Sequence, residues 1–370
     1  MRAFNVIYLC SLLIAISCTS KQKEDKEVVA EKIATSNTTL PFKYWVWITA
    51  EPSKTDLMYI DEFKKYKNNG IDAVLINTEA NAKILEKIAP LAVREGLEVH
   101  AWMFTMNRPN DAIALKHPEW YMVSRSGKSC FDNRPYVDYY QWLSPSHPQA
   151  RQHIWDLVES LAKVKDVASV HLDYIRYPDI YLPIGLLPKY KLIQNEELPD
   201  FDFDYSQVAV DKFEQQYGKD IRQAEVPAID IEWKQFRLNE IKSVVDGAYD
   251  IAHKHGKQLT AAVFPYPEMA DHMVRQRWDK WNVDEVLPMI YYNFYNETVD
   301  WVGFATRQGV EDLKGKNTKL HTGIYLPPMS AKDVSIAIEL AKNNGASGIS
   351  FFDGNAITEE QFEAIKNSKK

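Results

Sequence analysis

From Phe42 onward, short apolar runs alternate with segments whose apolar positions recur at helical spacing. The runs are "KYWVWIT", "DAVLINT", "EVHAWMF", "SVHLDYI", "QLTAAVF", "EVLPMIYY", "LHTGIYL" and "GISFFD". Rich in β-branched and aromatic residues, and apolar at nearly every position, they predict strands covered on both faces. Between them, "YIDEFKKYKNNG" and "VSIAIELAKNNG" end in Asn-Gly, a pair suited to the left-handed cap of a helix. "RQHIWDLVESLAKV" and "EIKSVVDGAYDIAHKHG" carry the i, i+3, i+4 spacing of helices lying on a sheet. Eight strands alternating with helices predict an α/β fold, the (β/α)8 TIM barrel, as a single domain over 41–370. A doubly wound open sheet would need a Gly-rich phosphate loop at a βα turn, and none is present. Two βα segments, 105–145 and 179–232, overrun the minimal unit on the side of a barrel that builds sites.

The N-terminus follows a different pattern. Arg2 precedes "FNVIYLCSLLIAIS", an apolar run too short and too early for a membrane span. It closes on "AISCTS", which resembles a bacterial lipobox cut between Ser17 and Cys18. The expectation is a signal peptide over 1–17, lipid on Cys18, and a polar tether over 18–40. The "KQKED" within that tether is similar to export signals of surface lipoproteins, so the expected location is the outer membrane, anchored by lipid. With Cys10 removed and Cys18 acylated, Cys130 stands alone and no intramolecular disulfide is expected.

Composition narrows the partners. A net charge of -7 gives no reason to expect a nucleic-acid partner, which would normally need a basic face. The 10 Trp and 20 Tyr exceed what a core of this size needs, and flat rings suit a cleft that stacks sugars. No cofactor is expected, and the chain is expected to act as a monomer. No H-E-x-x-H or comparable ligand spacing appears, so no metal is expected either.

In a barrel, the C-terminal strand ends face one mouth. Thr49, Asn77, Glu79, His100, Trp102, His171, Asp173, Tyr174, Arg176, Tyr266, Tyr291, Tyr292, Tyr325 and Asp353 fall there. Carboxylates, aromatics and amides converging on a mouth are what glycoside hydrolysis needs: one acid for the leaving oxygen, one carboxylate to attack or activate water, and rings to hold the sugar. The catalytic candidates are Asp173, Asp353 and Glu79. The substrate-binding candidates are His100, Trp102, His171, Tyr174, Arg176, Tyr266, Tyr291, Tyr292 and Tyr325. Asp173 leads, because Arg176 lies three residues on and is expected to hold its carboxylate ionised. Its bland alternative is a structural Asp–Arg brace. For Asp353 the alternative is capping before "ITEEQFEAI", and for Glu79 an ordinary acidic helix start.

The segments "GLEVHAWM", "HPEWYMVSRSGK", "WLSPSHPQARQHIWDLVESLAKVKDVASVHLDYIRYP", "EWKQFRLNEIKSVV", "RWDKWNVDEVLPMIYY" and "GASGISFFDG", in that order, resemble the bacterial glycosyl hydrolase-like 10 family over most of 42–355. The resemblance implies a (β/α)8 barrel distantly related to retaining α-glycosidases, in which the strand-4 Asp is the nucleophile; Asp173 occupies that place. It implies a complex extracellular or cell-wall polysaccharide, or an oligosaccharide, as substrate. Tyr174 departs from members that carry two adjacent acids there. Ile175 and Arg176 stand where chitinase-type barrels place a Glu, which argues against substrate-assisted chemistry. The competing reading is a non-catalytic glycan-binding lipoprotein on the same barrel, which needs the aromatics but no matched acid pair. A polysaccharide lyase or a deacetylase would need a Tyr/His base pair or a metal triad.

Overall fold

The computed structural model describes residues 41–369; the expected signal peptide, the expected lipidation at Cys18 and the expected tether lie outside the described residues. Eight parallel strands close into a barrel in sequence order. They are β1 (Lys43–Thr49), β2 (Ala73–Asn77), β3 (Glu98–Phe104), β4 (Ser169–Asp173), β5 (Gln258–Val263), β6 (Glu285–Pro288), β7 (Lys319–Tyr325) and β8 (Gly348–Phe352). β8 pairs with β1 through Trp45 and Ser350, which leaves no open edge.

Side chains alternate across each strand. Tyr44, Val46 and Ile48 of β1 pack outward with Val74, Ile76, Val99, Val170 and Leu172, where the helices cover them. Trp45, Trp47, Ala73, Leu75, Trp102, Ala262 and Leu287 form a separate inner core that fills the barrel. Large indoles from β1 and β3 fit because small residues face them. A Cβ on Gly323 would come within 2.7 Å of the Pro288 carbonyl and 3.0 Å of the Trp47 ring. One on Gly348 would meet His321 Nδ1 at 2.4 Å. Only glycine fits at these two positions.

The long connections after β3 and β4 fold over the C-terminal mouth. The second carries the helix Gln207–Tyr217, whose Ala209, Val210 and Phe213 make a small core with Tyr205, Trp233 and Phe236. Charge ties the two loops together. The fully buried Asp202 pairs with Arg125 of the first loop at 3.0 Å and with Arg237 of the helix Ile231–Lys254 at 2.6 Å. Val123 N donates to Asp204 Oδ1 at 3.2 Å. Packed and paired in this way, the loops present walls of fixed shape to the mouth.

Candidate active site

The inner face of β4 is a ladder of polar side chains, each with a partner from a neighbouring strand. Ser169 Oγ lies 2.6 Å from His100 Nδ1. His171 takes the Trp47 indole N–H on Nε2 at 3.1 Å, and its Nδ1 lies 2.8 Å from Thr260 Oγ1. An indole nitrogen only donates, so Nε2 is the bare nitrogen and the remaining proton sits on Nδ1, facing Thr260. Burial lowers the pKa of His100 to about 4 and that of His171 well below the usual imidazole range. Both rings are therefore neutral braces inside the barrel. Expected in the mouth, they lie instead one and two inward-facing layers beneath it, because each pair of residues along a strand moves the side chain one layer down.

Asp173, the last residue of β4, ends the ladder at the floor of a cavity of about 470 Å³. Its Oδ2 accepts the Trp102 indole N–H at 3.1 Å, and its Oδ1 the Tyr174 backbone N–H at 2.7 Å. Tyr174 adopts the left-handed region (φ 51°), which turns the chain sharply at that point. Burial is the largest influence on Asp173; against the pull of these two donors and of Arg176, it pushes the carboxyl up to about 6. Arg176 does not pair with it. The guanidinium bonds to Asp179 at 3.2 Å and lies about 5 Å from each of the rings of Trp142, Tyr174 and Phe264. Arg176, expected to hold Asp173 ionised or to brace it, instead pairs with Asp179: the left-handed turn at Tyr174 carries Arg176 toward the following loop.

Asp353 follows β8 and lines the same cavity as Asp173. Its Oδ1 accepts the Asn355 N–H at 2.9 Å, so it caps a single short turn. The helix that follows is capped by Thr358, with Gln361 completing a capping box. Tyr291 lines the cavity with both acids: burial first, and then the electrostatic influence of Asp173, Tyr325, Tyr295 and Asp353, raise its hydroxyl far above the ordinary range. Its ring stacks on Phe352 with centroids 6.1 Å apart and packs at 5.5 Å against Tyr325, which makes one aromatic wall.

The opposite wall comes from the two long loops. Tyr136, Tyr139 and Tyr140 of 105–145 line it, as do Leu182, Pro183, Lys189 and Tyr190 of 179–232. Trp120 and Trp142 of the first loop are buried behind it as packing.

Among the sequence-based candidates, the structure brings together Trp102, Asp173, Tyr174, Arg176, Tyr291, Tyr325 and Asp353. Glu79 lies apart, exposed on a left-handed turn (φ 55°) after β2. Tyr266 packs edge-on against Trp301 and Phe304, and Tyr292 begins a short turn; neither lines the cavity. Asp284 precedes β6 and bonds Leu259 N and His253, at the opposite end of the barrel. Sequence reading missed Trp47, Tyr140, Asp179 and Tyr295 as cavity residues. Trp47 was legible, since it shares the inward face of β1 with Trp45 two residues before. Tyr140 and Asp179 sit on irregular backbone and Tyr295 on a single short turn, where no periodicity tells which way a side chain turns.

No curated protein matches the chain. Among solved structures, the glycoside hydrolase domain of PgaB (BpsB) from Bordetella bronchiseptica superposes with a TM-score of 0.65 at 14% identity, over 89% of this chain and 99% of that one. The catalytic domain of a beta-amylase from Paenibacillus polymyxa gives 0.61 at 11% identity, over 89% and 98%. An alpha-L-fucosidase isoenzyme 2 from Paenibacillus thiaminolyticus gives 0.55 at 11%, over 89% and 49%. At such identities these likenesses establish the barrel and nothing finer. Residues 22–184 match the model of the glycosyl hydrolase-like 10 family, and that stretch, which holds β1 to β4, contains Asp173, Arg176 and Asp179.

Proposed function

We propose that this barrel hydrolyses glycosidic bonds, with Asp173 as the proton donor and Asp353 as the second carboxylate. The observation that carries the reading is a buried carboxyl with its pKa pushed up to about 6, on an aromatic-walled cavity that it shares with another acid. A proton donor must hold its proton until the leaving oxygen arrives, and burial does that for Asp173. The nucleophile role implied by the family resemblance asks for a carboxylate kept ionised, against which this burial works. Once the proton has left, the N–H groups of Trp102 and Tyr174 are in place to hold the carboxylate that forms. Asp353, on the mouth-facing end of β8, then attacks the anomeric carbon or activates water, while Tyr291, Tyr325 and Phe352 give the sugar a flat surface.

The family match and the hydrolase barrels of similar shape support the class of reaction. The test is turnover of neutral, acidic and peptidoglycan-derived glycans by the wild type and by Asp173→Asn, with products read by mass spectrometry. Cleavage by the wild type, lost in a well-folded Asp173→Asn, is expected. Binding without cleavage in both forms would instead establish a glycan-binding protein.

A further inference from the structure

The cavity holds a third carboxylate that the proposed reaction does not use. Asp179 lines it, although only 3% of its surface is exposed. Two side chains reach it, the Tyr140 hydroxyl at 3.0 Å and Arg176 Nη1 at 3.2 Å, and both bond to Oδ2. Oδ1 accepts no hydrogen bond among the described residues. The backbone is fixed as well: the Tyr136 hydroxyl donates to the Asp179 carbonyl at 2.7 Å and accepts from Gln194 Nε2 at 2.9 Å. Both long loops thus hold this carboxylate in position while one of its oxygens stays uncommitted. Oδ1 is not among the enclosed unpaired atoms of the described residues, so it meets the space of the cavity, where a donor from a ligand can reach it.

The charges around it limit what can complete it. Asp173, Asp179 and Asp353 line the cavity against Arg176, whose Nη1 bonds to Asp179 and to the Tyr177 carbonyl while its Nε has no partner, and Lys189, which is exposed. A sugar carboxylate or sulfate would meet Asp179 and Asp353 here, with the charge of the buried Arg176 already offset by Asp179, and like charges repel strongly in such a setting. A sugar hydroxyl can instead donate to Oδ1 in a charge-assisted bond, with the C–H face of its ring against tyrosine. The position is distinct from that of the reacting pair. Tyr295, half-buried, lies in the field of Asp179 and Arg176, whereas Tyr291 feels Asp173 and Asp353.

We propose that Asp179 Oδ1 is the hydroxyl acceptor of a second sugar subsite beside Asp173, and that this subsite selects neutral sugars over uronic or sulfated ones. The inference rests on the glycan-hydrolase reading for its ligand class, but it concerns binding and can be tested without turnover. The experiment titrates malto-, cello-, xylo- and mannopentaose, together with oligogalacturonate and oligomannuronate of the same length, into Asp173→Asn by calorimetry. At least one neutral pentasaccharide should bind, with the uronates at least tenfold weaker. Adding Asp179→Asn should weaken the neutral ligand tenfold or more. Tyr140→Phe, which keeps the ion pair and removes one donor that aims the carboxylate, should weaken it severalfold and carries the test if Asp179→Asn melts early. In the otherwise wild-type enzyme, Asp179→Asn should raise KM more than it lowers kcat. Binding of a uronate as tightly as the best neutral sugar overturns the proposal, as does failure of every neutral pentasaccharide to bind, or unchanged affinity in folded Asp179→Asn and Tyr140→Phe. Turnover lost or kept in Asp173→Asn alone reports separately on the glycosidase reading.

Discussion

Two carboxylates face the interior of this barrel from its opposite ends, and burial alone would push both pKa values up. Glu285 opens β6 at the N-terminal end, 5% exposed; Asp173 closes β4 at the C-terminal end, 8% exposed. Glu285 has His321 Nε2 at 2.7 Å and Lys319 Nζ at 3.4 Å. Burial works against its charge, but His321 and Lys319 outweigh it and bring the carboxyl down to about 2. Asp173 touches only neutral N–H donors, so burial wins and its carboxyl rises to about 6. What separates them is the partner. Around Glu285 the arrangement is closed, with Trp45 held between the rings of His100 and His321 at 4.0 and 4.1 Å. Around Asp173 it opens onto a cavity. That is the division of a (β/α)8 barrel into an end that stabilises and an end that reacts.

The comparison can be broken at either end. The largest effect expected is on turnover: Asp173→Asn removes the proton and the charge while nearly keeping the shape, and kcat should fall on the order of 10³-fold or more, about 4 kcal/mol of barrier. Steady-state kinetics on a cleaved glycan check this.

Next is Glu285→Gln, which leaves the His321 side of a buried pair without its partner and should destabilise the fold by about 3 kcal/mol. Because the folded pKa of Glu285 lies below its ordinary value, its contribution is present above that ordinary value and lost as pH falls toward about 2. Denaturant melts of the variant should therefore approach those of the wild type only in strong acid.

Asp173→Asn should have the opposite sign in the same melts. A raised carboxyl pKa lowers stability as pH climbs from its ordinary 3.8 to about 6, and the loss stays constant above that. At pH 7 to 8 the variant should be more stable than the wild type by about 2–3 kcal/mol, with the two converging below about pH 4. Equal melts across that range would mean that Asp173 carries no such strain. The smallest effect expected is that of Trp102→Phe. Losing a donor to the ionised form should move the Asp173 titration, followed by carboxyl NMR, upward by roughly half a pH unit to one unit.

Regular structure was legible in the sequence because period and burial coincide there. "KYWVWIT" and "EVHAWMF" are β1 and β3 residue for residue, and both Asp173 and Asp353 stand at or just beyond strand ends, as expected. The partners of Asp173 were not legible. Its second oxygen is served by Trp102, which is adjacent only through the pairing of Phe104 with Asp173 across β3 and β4. Arg176, near in sequence, turns away because Tyr174 takes a left-handed conformation that its own residue type does not announce. His100 and His171 were placed too high, since a strand run shows which face a residue is on but not at which layer the mouth begins. Tyr140 and Asp179 come from irregular loops whose course is set by distant pairs such as Arg125–Asp202.

The pH dependence of kcat/KM tests the central claim most directly, since acid and nucleophile roles for Asp173 predict opposite slopes. If Asp173 delivers the proton, activity is lost as pH rises through about 6, and Trp102→Phe moves that limb upward. Activity that instead rises through the same pH, in an enzyme whose Asp173→Asn form is folded and inactive, would make Asp173 the ionised partner and contradict the account.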